Sequence, residues 1–486
     1  MRRFLHLVYK MFLNGEFVES STRETYEIRN PANSSVVATV ARGSKDDAKA
    51  AIDFAYDAFR RERKSTVPTN ISRVLQMASD LVRQNETELA TTMTQEQGKT
   101  LLESRGEIKF FAHTLEYYAS LKARGSQVNI SDPSKLAVVE KEPIGVVAGI
   151  VPWNNPILLM GAKLASALAA GNSIVIKPAS TTPLSTLKVA ELLVRAGLPK
   201  GLVNFVTGSG ESVGEELVTN SKTRKVSFTG ETSTGKRIMQ LASSHLKRVT
   251  LELGGSNPII VADDADLDAA VNATLNGRFR NCGQGCMCVK RTYVFEKIAQ
   301  IFTEKLKERA ANIVLGDGMK PETTMGPVHS KIQLEKVSGQ VAETLDKGAK
   351  LVLGGHAPNS PELSKGFFYL PTLITEVNSN SKLVAEECFG PALPIITVGS
   401  MDDAIEQAND SIYGLGASVW TKDLGRAKKA AREIEAGTVL VNSLYGAGGW
   451  EIEVPMGGFK QSGLGREYGI EGLESYTETK TTIFGA

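Results

Sequence analysis

Cysteine is scarce in this chain. Four occur in 486 residues, and three of those lie within Cys282–Cys288. So few, so clustered, exclude a disulfide framework and predict a reduced, cytoplasmic protein. Histidine is nearly as rare: five in all, none close in sequence to the cysteine cluster. The spacing of Cys282, Cys286 and Cys288 is not that of a zinc motif, so no metal is expected. No apolar run is long enough to span a bilayer, which removes the membrane as a partner. Neither charge dominates: 56 Lys and Arg stand against 54 Asp and Glu. A nucleic-acid or anionic-membrane binder would carry a basic excess that is missing here. The opening Met1–Lys10 is basic and then apolar, but too short and interrupted for a secretory signal, with no small-residue cleavage site after it. Met11 is a second candidate start, which would leave the first ten residues as a frayed extension. No internal repeat or low-complexity stretch occurs.

What is present is an ordinary globular composition, 42% hydrophobic and 23% charged, in a chain long enough for about three domains. Residues 45–124 read as helix, with apolar positions three and four apart. Ser126–Glu142 alternates apolar and polar residues around Asp132-Pro133-Ser134, which predicts a two-stranded excursion. From Gly145 strands and helices alternate: strands at Val146–Val151, Ser173–Ile176, Val203–Val206 and Lys225–Phe228, helices at Leu158–Ala170, Leu184–Ala196, Val213–Asn220 and Gly235–Ser243. A second series runs from Asn257 to about Asn442, and the tail from Glu474 to Phe484 returns to strand. Continuous apolar strands separated by helices predict an α/β fold with doubly wound parallel sheets.

Five places invite chemistry. Cys286 sits among Asn281, Gly283, Gln284 and Gly285, polar and flexible surroundings that favour access and a thiolate; a buried free cysteine elsewhere is usually inert packing. Glu252 is locked in the apolar, glycine-terminated run Leu251-Glu252-Leu253-Gly254-Gly255. Burial raises a carboxyl pKa, which suits a base working near neutral pH. A thiol nucleophile and a carboxylate base are what covalent chemistry on a carbonyl requires. Pro152-Trp153-Asn154-Asn155-Pro156 follows a buried strand and precedes a helix, where an asparagine amide can donate to an oxyanion; a proline-bounded turn is the plainer reading. Phe228-Thr229-Gly230-Glu231-Thr232-Ser233-Thr234-Gly235 joins strand to helix and suits a phosphate, although it is not the G-x-G-x-x-G fingerprint. Lys177 ends a strand of the same sheet and can reach a ribose or phosphate, or be a solvated charge.

Taken together these residues resemble the aldehyde dehydrogenase superfamily over nearly the whole chain. The cysteine motif stands as Phe279-Arg280-Asn281-Cys282-Gly283-Gln284-Gly285-Cys286 and the glutamate motif as Leu251-Glu252-Leu253-Gly254-Gly255. Pro152-Trp153-Asn154, Ile176-Lys177-Pro178, Glu386-Glu387-Cys388-Phe389-Gly390-Pro391 and Gly457-Gly458-Phe459-Lys460-Gln461-Ser462-Gly463 follow in family order. The resemblance implies that Cys286 attacks an aldehyde, that Asn154 and the Cys286 N–H hold the oxyanion, and that hydride transfer leaves a thioester. Glu252 then activates water, and Lys163 and Glu467 relay the proton outward. It implies NAD or NADP as cofactor. Lys177 and Ser180 would face the adenosine ribose, Gly210, Gly230 and Ser233 the phosphates. Glu387 would bind the nicotinamide ribose, with Phe389 against the ring and Val151, Trp153, Leu253 and Gly254 along the path. It implies two Rossmann-like domains and a small β oligomerisation domain, divided as 1–125 with 143–255 (cofactor), 256–445 (catalysis) and 126–142 with 470–486 (assembly). A homo-oligomer, dimer or tetramer, follows from the exposed strand edge.

Departures from the family pattern set the finer expectations. Ser180 stands where NAD-using members carry a glutamate. A carboxylate there would repel a 2′-phosphate whereas a hydroxyl can donate to one, so NADP is favoured over NAD. Glu231 replaces a serine beside the pyrophosphate. Asn155 and Ala162 stand where bulkier residues are common, which predicts a roomier and more polar substrate tunnel. Arg280 and the Cys286-Met287-Cys288 pair resemble succinate-semialdehyde dehydrogenases, in which that arginine binds the substrate carboxylate and the cysteine pair can form a disulfide. The second arginine of that subfamily falls at Ala162. Arg280 is equally a structural ion-pair partner, and Cys288 a packed thiol. With Gly285, Asn155 and Arg280 are the candidate substrate residues. The expected substrate is a small polar aldehyde: a semialdehyde such as succinate semialdehyde, or a hydroxyaldehyde such as lactaldehyde or glyceraldehyde. Alternatives are a coenzyme-A-acylating dehydrogenase and a non-catalytic cofactor-binding relative.

Overall fold

The computed structural model describes residues 8–66, 69–121, 126–128, 134–444 and 451–485. Its largest sheet has eight strands, in the order Gly463–Leu464, Arg248–Glu252, Thr223–Thr229, Val146–Ile150, Ser173–Lys177, Val203–Phe205, Met11–Leu13, Glu16–Val18. The five strands between Arg248 and Phe205 in that order run parallel. Alternate side chains enter opposite faces. Val147, Ile174 and Ile176 pack into one core with the helices Ile71–Gln84, Leu101–Ser120 and Leu184–Arg195. Val146, Ala148, Val175 and Val226 pack into another with the helix Lys45–Lys64. Both faces are covered, which is why these strands read as unbroken apolar runs rather than alternations.

A second sheet of seven strands runs Lys350–Leu353, Thr372–Thr375, Ala392–Val398, Val289–Phe295, Asn257–Val261, Gly416–Trp420, Thr438–Val441. It too is parallel apart from its Lys350–Leu353 edge. Ile259, Val261 and Val294 face one core, Ile260, Tyr293 and Phe295 the other. The fold is α/β with two Rossmann-like parallel sheets, each edged by antiparallel strands.

The predicted excursion and the tail meet in a third, antiparallel sheet, ordered Thr477–Gly485, Lys135–Pro143, Ser126–Val128. The expected turn at Asp132-Pro133 lies outside the described residues. One expectation at the start of the chain is corrected. Val8 and Tyr9 are not frayed but pair in parallel with Thr39 and Val40 of the strand Val36–Ala41, where the ladder satisfies their backbone polar groups. The remainder of the expected extension, residues 1–7, lies outside the described residues. Among the described residues no helix is long and apolar enough to cross a membrane.

Candidate active site

The cysteine loop begins where the helix Leu267–Phe279 ends. Asn281, Cys282 and Gly283 follow with φ of 47°, 55° and 71°, three left-handed residues in succession. At Gly283 any Cβ would stand 2.2 Å from the Gly390 carbonyl oxygen, so glycine is required. Two non-glycine residues in this region cost about 1–3 kcal/mol each unless their surroundings fix them. Here they do. The Asn281 N–H donates to Glu103 at 2.6 Å, its side-chain oxygen accepts from Gln97 at 3.1 Å, and its amide donates to the Asn154 carbonyl at 3.1 Å. Gln284 donates to the Asn281 carbonyl at 3.0 Å and accepts the His329 N–H at 2.8 Å. The His329 ring stacks on Trp153 with centroids 4.4 Å apart. Burial holds that ring down to about 4, so it is neutral.

The loop delivers Cys286, half-buried, against Glu252. Glu252 ends a strand of the first sheet and is 1% exposed. Neither of its oxygens is held by a nitrogen or hydroxyl donor among the described residues; the Cys286 thiol lies against the carboxyl. Burial, and then the charge of Glu467, push the Glu252 carboxyl up to about 8. Burial and the adjoining Glu252 push the Cys286 thiol well above its ordinary value. This corrects the expectation of a thiolate: the flanking polar residues spend their groups on one another and on the backbone, and leave the sulfur in a desolvated, anionic neighbourhood. The resting pair is a neutral thiol beside a carboxyl that ionises near neutral pH.

Behind Glu252, Lys163 of the helix Pro156–Ala169 bonds Glu467 at 2.6 Å and Thr229 at 2.7 Å, and Ser227 bonds the same Glu467 oxygen at 3.1 Å. Lys163 and Glu467 are both buried. Asn154, also buried, donates one amide hydrogen to the Gln284 carbonyl at 3.1 Å. Its own carbonyl and the Asn155 side-chain oxygen accept from the buried Lys99, at 2.7 and 2.8 Å. Asn155 is thereby tied to Lys99.

Cys286 has different surroundings on two sides. On one, a cleft is lined by Trp153, Asn154, Gly230, Glu252, Leu253, Gly254, Glu387 and Phe389 together with Cys286. A Cβ on Gly254 would stand 2.5 Å from a Glu387 oxygen. The helix Thr232–Ala242 starts at this cleft, and Glu231 at its N-cap makes no side-chain cap bond, so its first N–H groups are open to an anion. Ser233 is exposed in that first turn. On the other side Ala162, Ile452, Met456 and Tyr468 pack with Phe110, Tyr117, Leu158, Met287 and Cys286 itself. This side is apolar and aromatic.

Other expected residues lie away from the cleft lining. Lys177 is buried, donates to the Pro178 carbonyl at 3.2 Å and is brought down to about 8 by desolvation. The Ser180 hydroxyl donates to the Gly208 carbonyl at 2.8 Å. Gly210 opens a wide helical turn, Gly210–Gly214, that leads into the helix Glu215–Thr219. Val151 is buried, its N–H donating to the Lys177 carbonyl at 3.0 Å. Arg280 is exposed on the side of the helix Leu101–Ser120. Gly285 lies against Cys288, whose sulfur is 2.8 Å from where a Cβ would stand.

Three residues at the cleft carried no motif in the sequence. Gln333 and Lys336, from the helix Lys331–Asp346, line it, and Gln333 donates to the Phe389 carbonyl at 2.8 Å. Lys290 is buried behind two of its lining residues, 3.5 Å from Glu387 and 4.4 Å from the centroid of the Phe389 ring. Only Lys290 left a trace: a lysine inside the otherwise buried strand Val289–Phe295.

The aldehyde dehydrogenase family model matches residues 17–482. The chain is 42% identical over 473 residues to betaine aldehyde dehydrogenase of Bacillus subtilis, covering 97% of this chain and 96% of that protein. It is 40% identical over 475 residues to the succinate-semialdehyde dehydrogenase [NADP(+)] GabD of Escherichia coli, covering 97% of each. The crystal structure of betaine aldehyde dehydrogenase from Staphylococcus aureus in complex with NAD+ matches with a TM-score of 0.95 at 38% identity, covering 99% of this chain and 95% of that one.

Proposed function

The chain belongs to the aldehyde dehydrogenase family, and from that premise we propose that it oxidises a small polar aldehyde to its carboxylate through a thioester on Cys286. The class is that of NAD(P)-dependent aldehyde dehydrogenases; the residue roles and the substrate are our reading. The observation that carries it is the Cys286 thiol set against the buried, unheld Glu252 carboxyl.

Glu252, when ionised, takes the thiol proton, and the sulfur adds to the carbonyl carbon. Asn154 keeps one amide hydrogen for the resulting oxyanion, and the Cys286 N–H supplies a second donor. Glu252 passes its proton to Glu467 and Lys163 and is free to act again. The cleft fits a nicotinamide dinucleotide: open N–H groups at a helix start for phosphate, Glu387 for ribose hydroxyls, and the Phe389 ring, edge to face with Trp153 at 5.6 Å, for a flat ring to lie against. Bound there, the nicotinamide supplies the acceptor for the hydride that leaves the thiohemiacetal carbon. Glu252 then takes a proton from water, the oxygen adds to the thioester carbon, and the carbon–sulfur bond breaks to give carboxylate and thiol. A carboxylate placed to activate water favours hydrolysis over transfer to coenzyme A.

For the substrate we keep a semialdehyde or hydroxyaldehyde. Both curated relatives named above bear the names of small aldehydes with a charged far end. Ala162 is a small side chain in the apolar cluster that packs against Cys286, while Arg280, exposed, is a cation at most for the far end of a substrate. NADP is proposed to serve at least as well as NAD. The support is the lack of a carboxylate at position 180 and the presence of Lys177; the Ser180 hydroxyl gives its hydrogen to Gly208, so its contribution is absence of repulsion rather than donation. Four free cysteines support the reducing, cytoplasmic setting, and the three sheets support the division into cofactor, catalytic and assembly domains. Steady-state rates with NAD and NADP on succinate semialdehyde, lactaldehyde, glyceraldehyde, betaine aldehyde and simple aliphatic aldehydes test this. We expect a kcat/KM maximum on a polar aldehyde, no need for coenzyme A, and NADP at least equal to NAD. A strong NAD preference overturns the cofactor reading, and a preference for long aliphatic aldehydes overturns the substrate reading.

A further inference from the structure

Lys290 is a fully buried cation that none of the steps above uses. It stands in the strand Val289–Phe295, four residues beyond Cys286, where the side chains around it are otherwise apolar or hydrogen-bonded. Its ammonium has three neighbours: a Glu387 oxygen at 3.5 Å, the Cys388 carbonyl at 3.0 Å, and the Phe389 ring, with 4.4 Å to the centroid. The Glu387 oxygen that faces it also accepts the Gly255 N–H at 3.1 Å. One side chain therefore grips three consecutive residues, 387 to 389, at the end of the cleft nearest the thiol. Burying a lysine is costly unless its charge is answered, and this one is answered by the very carboxylate and ring assigned above to the nicotinamide riboside.

We propose that Lys290 is a positioning residue with two linked effects: its ammonium fixes Glu387 and Phe389 for the nicotinamide riboside, and, 3.5 Å from the Glu387 carboxylate, it offsets the negative charge that this carboxylate brings to the cleft shared with Cys286. The first effect rests on the reading of Glu387 and Phe389 given under the proposed function; the second does not. The charged or titratable groups facing Cys286 are Glu252 from the strand Arg248–Glu252, Glu387 from the segment after the helix Lys382–Ala385, Tyr468, and Lys290. Glu467 and Lys163 stand behind Glu252. Of those acting directly on the sulfur, the two carboxylates hold the thiol up and Lys290 brings it down.

The signs of the two charges make the test. Lys290→Met should raise the KM for NAD(P) on the order of tenfold, because Glu387 loses its anchor, with the aldehyde KM within about twofold. In the cofactor-free protein it should move the pH profile of Cys286 alkylation by iodoacetamide upward by about half a unit or more. Glu387→Gln should also raise the cofactor KM, yet move the alkylation profile downward, since the lysine then acts unopposed. Lys290→Arg should recover much of both. A merely structural role would not shift the profile in opposite directions in the two variants. If Lys290→Met does not fold, Lys290→Gln, which keeps a donor for the Cys388 carbonyl but no charge, decides by the same two readings. Unchanged profiles and unchanged cofactor KM overturn the inference. Wild-type protein that oxidises no aldehyde with either cofactor overturns the proposed function instead, and the alkylation arm still reports on Lys290.

Discussion

Glu252 is a carboxylic acid with nothing conventional to hold its charge. Its strand delivers it into an apolar enclosure, its neighbours are a thiol and a second carboxylate, and its pKa rises to about 8 in consequence. Raising the pKa of a base has a definite sign. The ionised form does the work, so the working fraction falls as pH drops below that value. Turnover should climb about tenfold per pH unit on the acid side of about 8 and level off above it. Glu252→Gln should flatten that limb and slow thioester hydrolysis by on the order of 10² to 10⁴. Stopped-flow absorbance of the reduced cofactor across pH 5–10 separates the burst from the steady state. An acid limb that survives in Glu252→Gln assigns it to another group.

At the scale of elements, the central parallel strands were legible because burial on both faces forces continuous apolar runs, and Val146–Ile150 or Ser173–Lys177 can hardly be anything else. One edge was not. Gly463–Leu464 joins the first sheet from a distant part of the chain with two residues, too few to carry a period. The helix expected from Val213 begins instead as the wide turn at Gly210, where a Cβ would meet nothing and packing sets no pattern. In the site, Cys286, Glu252 and Asn154 were readable because their chemistry is confined to short motifs. Gln333, Lys336 and Lys290 were not, since no short motif surrounds them and the partners of Gln333 and Lys290, residues 387–389, reach them only through the fold. The left-handed run at Asn281–Gly283 was half-legible: the glycine pointed to it, while Asn281 is held in it by accepting from Gln97 and donating to Glu103, both far away in sequence.

At the scale of the molecule, the antiparallel sheet of Thr477–Gly485, Lys135–Pro143 and Ser126–Val128 presents apolar side chains to solvent. Phe484 and its cross-strand partner Leu136 are 55% and 42% exposed. An isolated chain gains nothing from such a pair on a sheet with an open edge; a second copy covering it does. The proposed homo-oligomer therefore depends on it. The double substitution Leu136→Glu with Phe484→Glu should move the sedimentation coefficient towards that of the monomer and leave the far-ultraviolet circular dichroism unchanged. An unaltered coefficient places the interface elsewhere. The two Rossmann-like sheets meanwhile exist, on this account, to bring one sulfur from the second against one carboxylate from the first. The most direct test is the mass of the protein itself. Glu252→Gln, mixed with a turned-over aldehyde and excess NAD(P) at alkaline pH, where the Cys286 thiol can lose its proton without the carboxylate, should gain the mass of one acyl group per chain, located on the Cys286 peptide, together with about one equivalent of reduced cofactor. Reduced cofactor released without any adduct, or undiminished turnover by Cys286→Ala, would contradict the account.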